Sequence, residues 1–167
     1  MKDGFIKVAA VSPEIRVADC VYNTEQILAA MQEAELAGVK LLVLPELCVT
    51  GYTCGDLFLQ STLLAGAKEA VLSLMQASEA YNMLVLAGAP LVKDGKLYNC
   101  AVVIYHGKLL GVVPKTYLPN YSEFYEQRHF TAAPEENSAI TVGWVNCPFG
   151  TKLLFSCENM PNFTFAA

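Results

Sequence analysis

The first half of the chain alternates strand-length apolar runs with a segment of helical spacing. Phe5–Val11 is a short apolar run, and Lys40–Leu44 is a second one whose continuous hydrophobicity is typical of a strand covered on both faces. Between them, Asn23 and Thr24 offer an N-terminal cap for a helix that runs to about residue 37, where Gly38 ends it. The pattern therefore predicts a β-α-β beginning.

The middle of the chain predicts a second helix followed by hairpins. Helical spacing of apolar residues over Leu63–Ala80 indicates the helix. The Asp-Gly pair at 94–95 and the His-Gly pair at 106–107 are turn signals, because these residues readily adopt positive φ. The strand-length runs that they separate are Met83–Val92, Leu97–Tyr105 and Leu109–Val113. This order of elements predicts helices that cover one face of a mixed sheet.

The last third of the chain is less regular. Tyr117–Phe130 is aromatic and charged, and we predict that it is a long functional loop. Short strands are predicted at Ile140–Val145 and Lys152–Phe155, and Asn162–Ala167 starts another. Because no turn or polar tail follows that run, we expect residues 1–167 to be the N-terminal part of a single domain that is incomplete at its C-terminal end.

The composition is more apolar than that of a typical soluble domain. Of the 167 residues, 54% are hydrophobic and 16% are charged. No run reaches the roughly 18 uninterrupted apolar residues of a membrane span. We expect the apolar excess to lie in a buried sheet, in a homo-oligomer interface, or against a missing remainder of the fold.

Charge and cysteine usage narrow the classes of partner and the compartment. A net charge of −5 argues against a nucleic-acid or anionic-membrane surface. The N-terminus lacks the basic segment and apolar core of a signal peptide. The six cysteines form no C-x-x-C pair, which favours reduced thiols in the cytoplasm and no metal site.

Two charged residues occupy similar positions in the pattern. Glu46 and Lys115 each follow an apolar strand and a proline, so both are expected at the carboxyl edge of a sheet, where α/β active sites form. Burial there would raise the proton affinity of Glu46, as a general base needs. An ammonium beside it could stabilise a tetrahedral oxyanion. Taken singly, Glu46 could instead be a solvated or helix-capping glutamate, and Lys115 a surface charge.

The sequence around these residues resembles a known family. Pro45-Glu46-Leu47 with Gly51-Tyr52, and the block PKTYLP that contains Lys115, are similar to the glutamate and lysine blocks of the nitrilase, or carbon–nitrogen hydrolase, superfamily. The resemblance implies an α/β (α+β) fold, a four-layer α-β-β-α sandwich. It also implies a Glu-Lys-Cys triad that hydrolyses an amide through a thioester, with Glu46 as the base and Lys115 stabilising the intermediate.

A longer block points to one branch of that superfamily. Asn120–Phe130 (NYSEFYEQRHF) and Gly55–Phe58 (GDLF) are similar to the glutaminase domains of glutamine-dependent NAD synthetases. The resemblance implies L-glutamine as substrate, with the ammonia passed to a synthetase domain of the same polypeptide. That domain would use ATP and Mg²⁺ to convert deamido-NAD to NAD. This chain lacks the pattern G-x-x-x-x-G-K-[ST], so we expect no cofactor in this domain.

The same resemblance suggests roles for residues of the loop. Tyr121 and Tyr52 would hold the substrate, since a tyrosine offers a flat apolar wall and one hydroxyl. Glu126 is our choice for a second active-site carboxylate that orients Lys115. Glu123 is the competing candidate for that role. Glu126 could also be one half of a surface ion pair with Arg128.

The predicted nucleophile, a cysteine thiolate, is not among the expected site residues of this chain. Cys157 precedes a glutamate, as the nucleophile does in the family, but Phe155–Asn162 is predicted to be a turn between two strands. The family places the nucleophile after the strand that begins near Phe163, a few residues beyond Ala167. We therefore predict no glutaminase activity for the 167-residue chain. His106 and His129 are expected at the surface.

Two other functions remain compatible with the sequence. The chain could be an amidase of the same fold that acts on another amide or on a nitrile. It could also be a non-catalytic assembly module that uses the fold as a scaffold.

Overall fold

A computed structural model of the protein describes residues 5–158 and 160–167. Strands dominate it, with two long helices in the first half of the chain and a short third helix later. The strands are β1 (Val8–Ala10), β2 (Leu41–Val43), β3 (Leu84–Lys93), β4 (Lys96–Tyr105), β5 (Lys108–Pro114), β6 (Ser138–Val142), β7 (Val145–Phe149), β8 (Phe155–Cys157) and β9 (Met160–Phe165). The helices are α1 (Cys20–Leu36), α2 (Ser61–Ala77) and α3 (Glu126–His129), with 3₁₀ helices at Gly55–Leu59 and Ser78–Ala80.

Seven strands form one mixed sheet in the order β1-β2-β3-β4-β5-β7-β6. The first three strands are parallel, as β-α-β connections require, and β3, β4 and β5 follow one another as antiparallel hairpins. β7 returns parallel to β5, and β6 pairs with β7. The predicted β-α-β-α-β beginning and the hairpins through β5 are confirmed, and so is the mixed sheet.

One face of the sheet packs on the two long helices. The register between β3 and β4 places Val85 opposite Ile104 and Ala87 opposite Val102, and these side chains are buried in one core with Ile27 of α1. α2 contributes a row of buried apolar residues to the same core, namely Leu63, Ala67, Ala70, Val71, Leu72, Leu74 and Met75. This cluster is the main hydrophobic core.

The opposite face of the sheet carries a smaller apolar cluster. Val103 and Val113 pack there against Phe155 of the separate β8–β9 hairpin. A side chain at Gly111 would meet the ring of Phe155 at 3.2 Å, so the hairpin lies close against this face. The described residues thus form a mixed sheet with helices on one face and a hairpin on the other.

The predicted cap of the first helix is wrong. α1 begins at Cys20, and the carboxylate of Asp19 caps it by accepting a hydrogen bond of 3.1 Å from the Tyr22 backbone N–H. Asn23 lies inside the helix and is buried, where its side chain donates to the carbonyls of Arg16 and Val49. Its amide therefore joins two loops instead of capping a helix.

Turn chemistry was predicted more accurately than strand ends. Asp94 and Gly95 have φ of 50° and 71° between β3 and β4, and His106 has φ of 47° before β5, so both predicted turns are confirmed. A strand is present where Ile140–Val145 was predicted, but its expected end is wrong, because β6 stops at Val142 and the chain turns at Gly143, with φ of 60°, into the unpredicted β7.

The last predicted strands are displaced from their expected positions. Residue 152 lies in a bend, and strand pairing starts at Phe155, so the expected strand Lys152–Phe155 is wrong. The hairpin turn is shorter than Phe155–Asn162, because Cys157 already pairs with Met160. Asn159 lies outside the described residues. No helix in the described part of the chain combines the length and apolar character needed to cross a membrane.

Candidate active site

Glu46 lies on a tight turn at the carboxyl edge of the parallel strands. The turn is fastened to β3, since the Leu44 backbone N–H donates to the Leu86 carbonyl at 2.9 Å. Leu47 has φ of 51°, a left-handed conformation that costs free energy for a branched side chain. A Cβ atom at Gly88 of β3 would lie 2.2 Å from the Leu47 nitrogen and 2.5 Å from the Pro45 carbonyl oxygen. Glycine at position 88 is therefore required for the turn to approach the sheet.

Lys115 follows the last residue of β5 and links the two expected carboxylates. Its Nζ donates to Oε1 of Glu46 at 2.7 Å and to Oε1 of Glu126 at 2.9 Å. Its own backbone N–H donates to the carbonyl of Asn99 on β4 at 2.8 Å. The fold thus brings together residues that are 69 and 11 positions apart in the sequence.

Glu126 is the most enclosed member of this group. It is the first residue of α3, and its side chain is 5% exposed, against 29% for Lys115 and 40% for Glu46. Besides Lys115, the Tyr52 hydroxyl donates to Oε1 of Glu126 at 2.7 Å. The second oxygen, Oε2, is buried and has no hydrogen-bond partner among the described residues. An unpaired buried acceptor is costly, so it is often kept for a ligand or another missing partner.

This geometry supports the choice of Glu126 over Glu123 and changes two other sequence-based expectations. Glu123 is exposed, so Glu126 is the carboxylate that meets Lys115. The alternative ion pair between Glu126 and Arg128 is wrong, because Arg128 pairs with Asp56. The expected burial of Glu46 is also wrong, since its turn lies at the open edge of the sheet.

Asn99 is a site residue that the sequence analysis missed. Its buried side chain donates from Nδ2 to Oε1 of Glu46, so the carboxylate receives hydrogen bonds from both Asn99 and Lys115. A single asparagine within the apolar strand LYNCAVVIY was the available signal. A buried polar side chain in a strand needs a hydrogen-bond partner, and a partner outside the backbone ladder suggests a site.

The carboxylates raise the proton affinities of the lysine and of the tyrosine beside them. Burial alone would lower the pKa of Lys115, but its hydrogen bonds and charge interactions with Glu46 and Glu126 raise that pKa above the usual lysine value. The pKa of Tyr52 is raised by burial first, and then by its hydrogen bond to the Glu126 carboxylate. At neutral pH the site therefore holds an ammonium and a neutral phenol.

An aromatic group lies next to the charged residues. The ring of Phe124 stands edge-on to Tyr52, with 6.4 Å between ring centroids, and to Tyr121, with 5.6 Å. Tyr121 is exposed, and the backbone N–H of Phe124 donates to its carbonyl at 2.9 Å. The two tyrosines expected to contact substrate thus belong to one aromatic group, joined by a phenylalanine that was not predicted.

Five of the six cysteines occupy surroundings unlike those of a reactive thiolate. Burial raises the pKa of Cys20, Cys48 and Cys147 to about 11, and it also raises the pKa of Cys54 and Cys100. These five thiols remain protonated at neutral pH. The sixth, Cys157, is half-buried in the β8–β9 hairpin.

The two histidines differ from each other. His106 is exposed in its turn, as expected. The expected surface position of His129 is wrong, because its side chain is 9% exposed and its ring packs 5.8 Å from that of Phe58. Its Nε2 lies 3.1 Å from Oδ1 of Asp56. His129 therefore joins α3 to the 3₁₀ helix Gly55–Leu59.

Comparison with known proteins gives this geometry a context. The chain is 39% identical over 160 residues to the glutamine-dependent NAD(+) synthetase of Mycobacterium tuberculosis. The aligned region covers 96% of this chain and 24% of that protein. The crystal structure of a glutamine-dependent NAD(+) synthetase from Cytophaga hutchinsonii matches with a TM-score of 0.85 at 32% identity, over 92% of this chain and 26% of that one. The chain thus spans about a quarter of the length of these relatives.

A more distant structure shares the fold. An amidase from Nesterenkonia sp. matches with a TM-score of 0.69 at 20% identity, over 86% of this chain and 54% of that one. The family model for carbon-nitrogen hydrolases matches residues 7–155, which include the whole Glu46–Lys115–Glu126 group. This chain therefore belongs to the carbon–nitrogen hydrolase family.

Proposed function

We propose that this chain carries the amide-hydrolysing site of a glutamine-dependent NAD synthetase. The observation that carries the proposal is the ammonium of Lys115, held at 2.7 Å and 2.9 Å between the carboxylates of Glu46 and Glu126. A positive charge fixed by two carboxylates needs little reorganisation when a neighbouring carbonyl oxygen becomes negative. We place the nucleophile at a cysteine that follows Ala167 in the complete protein, as the family resemblance implies; in support, burial raises the pKa of five thiols of this chain, and Cys157 belongs to a hairpin.

Each residue has a defined part in the proposed reaction. Glu46 takes the thiol proton as the sulfur attacks the amide carbon, and Lys115 stabilises the tetrahedral oxyanion. Glu46 then returns the proton to the amide nitrogen, and ammonia leaves as the thioester forms. Water, deprotonated by Glu46, attacks the thioester to release glutamate and regenerate the thiol. Asn99 and Glu126 keep the reacting groups in place throughout.

Glutamine is the substrate that the relatives favour. Proteins that are 39% and 32% identical to this chain are named glutamine-dependent NAD(+) synthetases. The exposed aromatic group of Tyr121, Phe124 and Tyr52 provides an apolar wall for an aliphatic side chain. Oε2 of Glu126 is buried and accepts no hydrogen bond among the described residues, so it offers an acceptor to a group that the rest of the domain or the substrate brings there.

The proposed ammonia has a defined use outside these residues. A synthetase domain of the same polypeptide would use it, with ATP and Mg²⁺, to amidate deamido-NAD. We further propose that the protein works in the cytoplasm as a homo-oligomer, which would cover part of its apolar excess.

The test is ammonia release by the full-length protein that contains this chain. We expect glutamine to be hydrolysed in preference to other ω-amides and to nitriles. Glu46→Gln should abolish turnover, and Cys157→Ala should leave it unchanged. Preference for another amide or a nitrile would overturn the choice of substrate. Loss of activity in Cys157→Ala would overturn the placement of the nucleophile, and no hydrolysis of any of these compounds would favour an assembly role.

A further inference from the structure

Glu126 begins a helix that is too short to hold itself in place. α3 has four residues, and isolated helices of this length are unstable because nucleation is unfavourable. Within the loop that contains α3, the Glu126 backbone N–H donates to the Pro119 carbonyl at 3.2 Å, and the Phe130 backbone N–H donates to the Glu126 carbonyl at 2.8 Å. The position of the Glu126 carboxylate therefore depends on what fastens α3 to the rest of the fold.

Asp56, on the 3₁₀ helix Gly55–Leu59, contacts both basic residues of α3. Its Oδ1 accepts from Arg128 Nε at 2.8 Å and its Oδ2 from Arg128 Nη2 at 2.9 Å, which is a bidentate pair. The His129 Nε2 lies 3.1 Å from the same Oδ1. We call Asp56, Arg128 and His129 the α3 clamp.

An apolar contact accompanies the charged one. The buried ring of Phe58, two residues after Asp56, lies 4.9 Å from Phe130 and 5.8 Å from His129, measured between ring centroids. A single exposed ion pair would stabilise little. Here the bidentate geometry and the buried ring act on the same four-residue helix, so they restrict its rotation as well as its position.

The clamp persists over a wide pH range. The hydrogen bonds from Arg128 and His129 lower the pKa of Asp56 well below its usual value. A lowered carboxyl pKa means that the clamp's contribution is complete above the ordinary aspartate pKa of about 3.9 and is lost only as the pH falls through the lowered value. At neutral pH the carboxylate is therefore ionised and the clamp is formed.

We infer that Asp56 is a positioning residue for the amide-hydrolysing site. By fastening α3, it keeps the Glu126 carboxylate within hydrogen-bonding distance of the Lys115 ammonium. The inference rests on the proposed function for its effect on turnover. Asp56 acts at a distance, because it contacts Arg128 and His129, whereas Glu126 contacts Lys115 and Tyr52.

The test compares Asp56→Asn with Asp94→Asn in the full-length protein. Asp94 is a matched control, because it is also an exposed aspartate in an ion pair, with 80% side-chain exposure against 63% for Asp56. We expect Asp56→Asn to lower the kcat for glutamine hydrolysis roughly tenfold with little change in KM, since misplaced catalytic groups slow the chemical step. Asp94→Asn should match the wild type. A kcat for Asp56→Asn within about twofold of the control would overturn the inference.

A second readout does not need activity. Amide hydrogen exchange, followed by mass spectrometry on a peptide that spans Glu126–Phe130, should be faster in Asp56→Asn than in Asp94→Asn, while the peptides of β3 and β4 exchange at equal rates. Equal exchange over Glu126–Phe130 would also overturn the inference. If the wild type fails to hydrolyse glutamine, the proposed function fails, and the exchange result still decides whether Asp56 fastens α3.

The double variant Asp56→Asn/Arg128→Gln separates the clamp from a general loss of stability. Residues that act as one unit have non-additive effects, so we expect the double variant to be no slower than Asp56→Asn. Losses that multiply would mean that the two residues act independently, and would contradict the clamp.

Discussion

The two halves of the charged site are held in different ways. Glu46 lies on the turn after β2 and Lys115 directly follows β5, and backbone hydrogen bonds to the carbonyls of Leu86 and Asn99 fix these two segments on the sheet. Glu126 stands on a loop helix, and its carboxylate is held by side chains of Tyr52 and Lys115. The sheet half, Glu46 and Lys115, follows from strand register, whereas the loop half, Glu126 and Tyr52, depends on side chains distant in the sequence. We therefore expect substitutions in the sheet half to cause large losses of activity and substitutions in the loop half to cause small ones.

The largest effect is expected where the two halves meet. Lys115→Gln removes the charge that joins Glu46 to Glu126 and leaves two carboxylates facing a neutral amide. We expect kcat for glutamine hydrolysis to fall by roughly a hundredfold to a thousandfold, the range for loss of one oxyanion donor. Steady-state ammonia release checks it, with Lys68→Gln, an exposed lysine on α2, as control. Activity within tenfold of the control would contradict this role.

The next effect concerns the backbone of the sheet half. Gly88→Ala places a methyl group 2.2 Å from the Leu47 nitrogen, so the Glu46 turn must move away from β3. We expect a loss of roughly 1–3 kcal/mol in the free energy of unfolding, as for other overpacked sites, together with loss of turnover. Gly95→Ala, where an added Cβ meets nothing within 4 Å, is the control for the substitution itself. Its φ of 71° adds some strain, so only the loss of turnover should distinguish the two variants. A fully active Gly88→Ala protein would show that the turn does not need this contact.

A smaller effect is expected from the side chain that supports Glu46. Asn99→Ala removes a hydrogen bond to a charged group, a contribution of roughly 1.5–3 kcal/mol, which corresponds to about tenfold to a hundredfold in rate. The loss should appear in kcat, because Asn99 contacts the proposed base. An unchanged kcat with a raised KM would instead place Asn99 in substrate binding.

The smallest effect is expected in the loop half. Tyr52→Phe removes the hydroxyl that donates to Glu126 but keeps the ring beside Phe124. This hydrogen bond also has a charged acceptor, but Tyr52 affects Lys115 only through Glu126, so we expect only part of its roughly 1.5–3 kcal/mol to reach the transition state and kcat to fall about fivefold. A fall in kcat as large as that of Lys115→Gln would mean that activity depends on the loop half as strongly as on the sheet half.

The sequence predicted the sheet half better than the loop half, for a physical reason. Apolar periodicity and Asp-Gly or His-Gly turns are local signals, and they predicted β3, β4, β5 and the strand-end positions of Glu46 and Lys115. The turn at Gly143 and the cap at Asp19 depend on which of several possible residues the tertiary fold selects. Strand ends and caps were therefore less accurate.

Loop contacts were predicted least well because they join distant segments. Glu126 was selected over Glu123 by family resemblance, and nothing local distinguishes the two. The pairing of Arg128 with Asp56 crosses 72 residues, and that of Asn99 with Glu46 crosses 53. Apolar periodicity carries no information about such pairs, because their side chains meet only after the strands have taken their register.

The most direct measurement is the mass of the full-length protein after acid quenching during glutamine turnover, with the modified peptide mapped. We predict a glutamyl adduct on a cysteine that follows Ala167 in the wild type, and none in Lys115→Gln. Ammonia release without any covalent adduct under single-turnover conditions, or an adduct on Cys157, would contradict the proposed catalysis by Glu46, Lys115 and a cysteine thiolate.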